Sequence, residues 1–155
     1  MTSYSLTLNG QRRTVQADGN TFLLYVLRNE LGINSPKYGC GTERCGACRV
    51  LVDGEIAYAC TRTLNDSSGT NIVTVEGLSK EGQLHPLQRN FLDLNAGQCG
   101  YCLSGILISA YKLLETNPCP QRSEITEALK DNLCRCGAHN RIIEAIKATA
   151  GEADE

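Results

Sequence analysis

Between residues 40 and 48 the sequence reads CGTERCGAC, crowding Cys40, Cys45 and Cys48 into one short loop at C-x4-C-x2-C spacing. Cys60 closes the run CRVLVDGEIAYAC that begins at Cys48. Four thiols drawn from one loop and an adjoining strand close only around something small. The chain must then curl tightly, with its N–H groups turned inward toward sulfur. Gly39, Gly41 and Gly46 stand where such a path needs them, because positive φ and close backbone approach are cheap only for glycine.

This is the spacing that holds a [2Fe–2S] cluster in plant-type ferredoxins, and inward N–H groups help set its reduction potential. Zinc favours C-x2-C pairs and fits an x4 gap poorly; a catalytic thiol has no use for four partners. Further on, QCGYC places Cys99 and Cys102, and DNLCRCGAH places Cys134 and Cys136 one residue apart. Two thiols so close do not easily face each other in a relaxed disulfide, so their partners lie elsewhere in the chain. Taken alone, C-x2-C with C-x-C is open between an iron–sulfur cluster, a zinc site and a dithiol. Each pair lies at an expected helix end, where facing loops would gather four sulfurs and helix N-terminal N–H groups would stabilise thiolates.

Composition narrows the setting. With 41% hydrophobic and 21% charged residues among 155, the chain is globular rather than disordered. A net charge of -2 without basic runs argues against nucleic acid or an anionic membrane as partner. Trp is absent and Phe occurs twice, so two lobes would have small cores and gain from an inorganic staple. The nine cysteines are odd in number and below the ~8–10% of a secreted disulfide scaffold. MTSYSLTLNGQRRT has no apolar export segment, and Arg12-Arg13, followed by polar residues, reads as a hairpin strand. No apolar run nears the ~20 residues needed to span a bilayer. The expectation is no direct membrane insertion and a cytoplasmic location, where reduced cysteines mean metal or catalysis.

The first half reads as strands with one helix. Leu6, Leu8 and Val15 flank an Asn9-Gly10 hairpin turn; a second turn is expected at Asp53-Gly54, and NIVTVEG is a further strand. TFLLYVLRNELG carries Leu23, Leu24, Leu27 and Leu31 on one helical face, with Thr21 as N-cap and Gly32 past the end. After EGLSKEGQ the pattern turns helical. Pro86 opens one helix, SGILISAYKLLET forms a second, and SEITEALKDNL a third, with Ser123 as cap and Ile125, Ala128, Leu129 and Leu133 inward. HNRIIEAIKATA forms a fourth, and GEADE is a frayed tail. The division falls near residue 77, giving lobes of 1–77 and 78–155.

PKYGCGTERCGACRVLVDG, QCGYCLSG and NLCRCGAH together resemble the small iron–sulfur subunit of the molybdenum hydroxylases, the xanthine oxidase family. The resemblance covers about residues 4–149 and matches eight cysteines in order and spacing. PKYGCG, HPLQ and CRCGAH point to two-subunit bacterial N-heterocycle hydroxylases such as nicotinate dehydrogenase and isoquinoline oxidoreductase. It implies an α+β chain: an N-terminal β-grasp ferredoxin-like domain holding one [2Fe–2S] cluster on Cys40, Cys45, Cys48 and Cys60, then a four-helix domain holding a second on Cys99, Cys102, Cys134 and Cys136. It also implies that Gln98 and Cys136 approach the molybdopterin of a molybdenum cofactor on a large partner subunit. The chain would pass electrons singly toward a separate acceptor: a flavin subunit, a haem domain or a diffusible carrier. No flavin-binding fingerprint is present in this sequence, and no catalytic residue is expected.

Three positions depart from many relatives: Arg49 where they have Thr, YCLSG where they have YCTPG, and CRCGAH where they have CRCTGY. None removes a cluster cysteine. Cys119, between Pro118 and Pro120, reads as a loop thiol without a role, His85 as local helix-start geometry or an interface contact, His139 as a cap or surface residue, and Tyr38 and Tyr101 as packing groups. Two rivals remain: a free-standing two-cluster ferredoxin, and a zinc-stabilised interaction module. A periplasmic location follows only if a partner carries the chain across a membrane.

Overall fold

Alternation of Leu6 and Leu8 with polar neighbours builds the expected hairpin, β1 (Thr2–Leu8) paired antiparallel with β2 (Gln11–Ala17). The computed structural model describes residues 2–152. Asn9 and Gly10 both take positive φ, 50° and 79°, the primed turn that suits strand twist. Asp53 and Gly54 repeat the device, at 51° and 83°, between β3 (Arg49–Val52) and β4 (Glu55–Tyr58). With β5 (Asn71–Val73) the strands form one mixed sheet in the order β2-β1-β5-β3-β4, in which β1 and β5 run parallel.

Across the sheet lies α1 (Leu23–Tyr25), which widens directly into a π turn over Val26–Glu30. Leu23, Leu24 and Leu27 are fully buried. Two details differ from the sequence expectation. The N-cap is Phe22 rather than Thr21, because Phe22 is held extended by a bridge to Thr63, while the Thr21 N–H donates to the Asp18 carbonyl. Nor is the helix a uniform α-helix: the Leu31 N–H reaches five residues back to Val26, and Arg28 donates to the carbonyls of Asn34 and Pro36, gathering in the chain beyond. Gly32, at φ 69°, ends the segment as expected. A short α2 (Leu64–Ser67) is capped by the Thr63 hydroxyl.

A single 3-10 turn, Val75–Leu78, leads into four helices: α3 (Pro86–Asp93), α4 (Leu103–Thr116), α5 (Arg122–Ala128) and α6 (His139–Glu152). Pro86 opens α3, with His85 as N-cap accepting the Leu87 N–H on Nδ1. At α5 the cap is Gln121, not Ser123. Glu124 accounts for the shift, since its carboxylate accepts the Gln121 N–H at 2.6 Å and so starts the first turn at Gln121 rather than Ser123. Leu133 is corrected too: α5 ends before it, and its side chain is 62% exposed. The helix α6 continues through Gly151 and Glu152 of the expected tail, and residues 153–155 lie outside the described residues.

Two buried apolar clusters result. The first joins Leu6, Leu23, Leu27, Val50, Ile72 and Cys48; the second joins Leu87, Ile106, Ile125, Ile142 and Ile146. Strand β3 is buried at every position. Cys48, Val50 and Val52 enter the first cluster; Arg49 and Leu51, pointing to the opposite face, meet α4, which packs on that strand. No described helix is long and apolar enough to cross a membrane.

Candidate metal centres

The first cysteine loop wraps its backbone around sulfur. The N–H groups of Thr42, Arg44 and Cys45 donate to the Cys40 Sγ at 3.4, 3.2 and 3.3 Å, and the Cys40 N–H donates to the Cys45 Sγ at 3.4 Å. Gly41 and Gly46 supply the positive φ this path needs, 69° and 73°. Gly39 serves differently: a Cβ there would lie 2.6 Å from the Cys45 Sγ. Burial alone would raise the Cys40 thiol, but the loop amides outweigh it and hold it at about 6. Cys48, sunk in the core against Cys60, is pushed up by burial to about 12.

The second site repeats the contrast. Cys102 is the N-cap of α4, and burial with the neighbouring Cys134 raises its thiol to about 12. Cys99, at the surface, is lowered by the Tyr101 N–H and by the thiol of Cys136. Cys134 is lowered as well: burial acts against this, but the amides of Ala138, Gly137 and Cys136 and the Cys102 thiol prevail. Gln98, Cys99 and Tyr101 lie on the exposed edge, with Cys136 half-buried beside Cys99.

The two loops touch each other. The Leu133 N–H, next to Cys134, donates to the Cys45 carbonyl at 3.0 Å. Ser104 Oγ donates to the Ala47 carbonyl at 3.3 Å, and the Tyr101 hydroxyl donates to the Tyr38 carbonyl. Tyr101 thus links the two loops, with its side chain exposed. Gly105 sits against Gly46 so tightly that a Cβ would fall 1.9 Å from its carbonyl oxygen. Arg49 is 5% exposed and spans the same seam. It donates to Ser109 Oγ, Asn132 Oδ1 and Tyr58 Oη, each at 2.8 Å, with Asp131 Oδ2 at 3.5 Å.

Comparison with known proteins meets this geometry from another side. The family described as 2Fe-2S iron-sulfur cluster binding domain matches residues 6–71, and that described as [2Fe-2S] binding domain matches residues 74–147. The nicotine 6-hydroxylase small subunit of Paenarthrobacter nicotinovorans is 43% identical over 94% of this chain and 87% of its own length. One of the subunits of nicotinate dehydrogenase from Pseudomonas putida is 46% identical over 96% of this chain and 95% of its own length. The chain belongs to the iron–sulfur subunits of the molybdenum hydroxylases. The crystal structure of quinoline 2-oxidoreductase from Pseudomonas putida superposes on this small subunit with a TM-score of 0.94 at 37% identity, covering 99% of it and 96% of that chain. An aldehyde oxidoreductase from Desulfovibrio desulfuricans also superposes at 0.94 with 33% identity; the small subunit covers 17% of that much longer chain.

The subunit is therefore an electron-transfer component of an oxidoreductase that binds two [2Fe–2S] clusters. Its donor groups fit that task. Among the described residues, no three His, Cys, Asp or Glu side chains converge as they would on one metal ion. In the first loop the Cys40 N–H donates to the Cys45 Sγ, and Cys48 lies near Cys60 and Cys45; in the second, Cys99 lies near Cys136 and Cys134, and Cys102 near Cys134 and Cys99. A [2Fe–2S] cluster asks for four sulfur donors.

His85 caps α3 and edges onto the Tyr111 ring at 5.3 Å. His139 is exposed at the start of α6. Cys119 is exposed near the far end of α6, beside Lys147 and Gly151. Sequence reasoning missed the partners of Arg49 and the seam role of Leu133 and Gly105. The one available signal was Arg49 itself, a charged residue inside an apolar strand.

Proposed function

We propose that Cys40, Cys45, Cys48 and Cys60 hold one [2Fe–2S] cluster, and Cys99, Cys102, Cys134 and Cys136 the other, on lobes that divide near residue 77. Gln98 and Cys136 face the molybdopterin of a large partner subunit, and the whole assembly hydroxylates an N-heterocycle. When bound, each cluster supplies storage for one electron, so a two-electron oxidation on the partner leaves in single steps.

The observation that carries this reading is the Leu133 N–H bonded to the Cys45 carbonyl at 3.0 Å, which ties one cysteine loop directly to the other. The chain's own residues supply the rest. Loop amides turn toward Cys40 and lower its thiol, and core packing keeps water from Cys48 and Cys60. Exposed Gln98 and Cys99 leave an edge open to a partner, consistent with the names of similar proteins, which refer to nicotinate, nicotine and isoquinoline. The acceptor sits on another chain, and the assembly works in the cytoplasm unless a partner exports it.

Metal analysis of the native complex captured through this chain tests the reading. The expected result is about four irons per copy, with turnover of an N-heterocycle and molybdenum in a large co-purifying partner. Four irons without partner or molybdenum would indicate a free two-cluster ferredoxin, and zinc replacing half the iron an interaction module.

A further inference from the structure

Arg49 stands where the two centres meet, and its environment does not neutralise it. The side chain leaves β3 immediately after Cys48 and is bonded to Asn132 and Asp131, just before Cys134. Its remaining partners are the neutral hydroxyls of Ser109 and Tyr58, and the Tyr58 ring lies 5.2 Å from the guanidinium carbon. Among the described residues the one carboxylate within reach, Asp131, is 52% exposed and stands 3.5 Å away, where solvent weakens its hold. Two buried donors at this seam, Arg49 Nε and Asn132 Nδ2, have no hydrogen-bond partner among the described residues. Asn132 Nδ2 is the group that a Cβ on Gly46, between Cys45 and Cys48, would meet at 2.5 Å. A buried cation so poorly paired is tolerated where lasting negative charge lies close by.

We propose that Arg49 is the positioning residue shared by the two centres: its guanidinium locks the cysteine loops to each other and places a permanent positive charge between them that favours the reduced state of both. The inference rests on the cysteine assignments above. A four-thiolate [2Fe–2S] centre carries a net charge of about -2 when oxidised and gains one more negative charge on taking an electron. A nearby cation that stays charged at every working pH stabilises the added electron without any proton moving.

The test uses the intact complex carrying Arg49→Met, Arg49→Lys or Asp131→Asn, titrated with dithionite through mediators while the clusters are followed by EPR. Arg49→Met is expected to keep both signals but lower the reduced-to-oxidised ratio of each about tenfold at fixed potential, a shift of ~59 mV for a one-electron couple. Arg49→Lys, which keeps the charge and loses the fork, should restore most of that ratio. Asp131→Asn, by removing the counter-charge at the surface, should move both ratios the other way. Unchanged ratios in an Arg49→Met protein that holds both clusters would overturn the proposal. Should that variant lose its iron, Arg49→Gln takes its place: both signals present with neither ratio lowered is equally fatal. A wild-type complex lacking about four irons per chain would instead sink the cysteine assignment.

Discussion

The thiols of Cys40 and Cys48 belong to one loop and face opposite environments. Amides pointing at Cys40 hold it at about 6, whereas burial lifts Cys48 to about 12. The second loop repeats this with Cys99 lowered and Cys102 at about 12. Each cysteine loop thus has an exposed thiol and a buried one, and Cys136 is half-buried beside exposed Cys99. Cys136→Ser should therefore abolish the second EPR signal and about half of the ~4 irons, while the first signal survives. Cys119→Ser should leave iron content unchanged: it lies near the C-terminal end of α6, whose 14 residues put about 21 Å between it and the Cys134–Cys136 loop. The cysteines and their glycines were legible in the sequence because spacing alone constrains a loop that must wrap sulfur. Arg49 was visible only as an oddity. Its partners Ser109 and Asn132 stand 60 and 83 residues away, and no local pattern joins them.

Among the elements, α4 and the turn Val75–Leu78 set how the sheet meets the helices. Gly105 of α4 rests on the Gly46 carbonyl, so Gly105→Ala should push the helix off the sheet and cost about 1–3 kcal/mol, seen as a lower urea midpoint together with weaker iron retention. Glu76 ties the turn to the chain ahead of the first cysteine loop, accepting from the Ser35 N–H at 3.0 Å and from the Ser35 and Thr74 hydroxyls at 2.5 and 2.7 Å. Burial would raise its carboxyl, but these hydroxyls and amides win and hold it below the ordinary value. A depressed carboxyl contributes fully above its unfolded pKa, ~4.3, and loses that contribution as pH falls through the folded value. Wild type should thus exceed Glu76→Gln by about 1 kcal/mol at neutral pH, the carboxylate being partly open to solvent, and the gap should close on acidification; urea titrations from pH 7 to about 3 check this. Hairpins and helix faces were legible because each period is local. The true caps were not: Phe22 is chosen by its bridge to Thr63, and Gln121 by a carboxylate three residues ahead.

At the scale of the whole molecule, the sequence changes from an alternating to a helical pattern, and the structure has two buried apolar clusters. What the pattern could not announce is that β3 has two inner faces. Its Arg49 and Leu51 side is covered only once α4 and the residues before Cys134 have arrived. A chain cut after residue 77 should therefore bind hydrophobic dye and aggregate, as measured by dye fluorescence and light scattering against the full chain. The same feature bears on how the protein is made. The guanidinium leaves the ribosome 83 residues ahead of Asn132, which at 5–20 residues per second is roughly 4–17 s. For that interval the nascent first lobe shows a charged, half-apolar flank to the cell, and a holding factor or an early-binding partner has its opening before the chain closes the flank for itself.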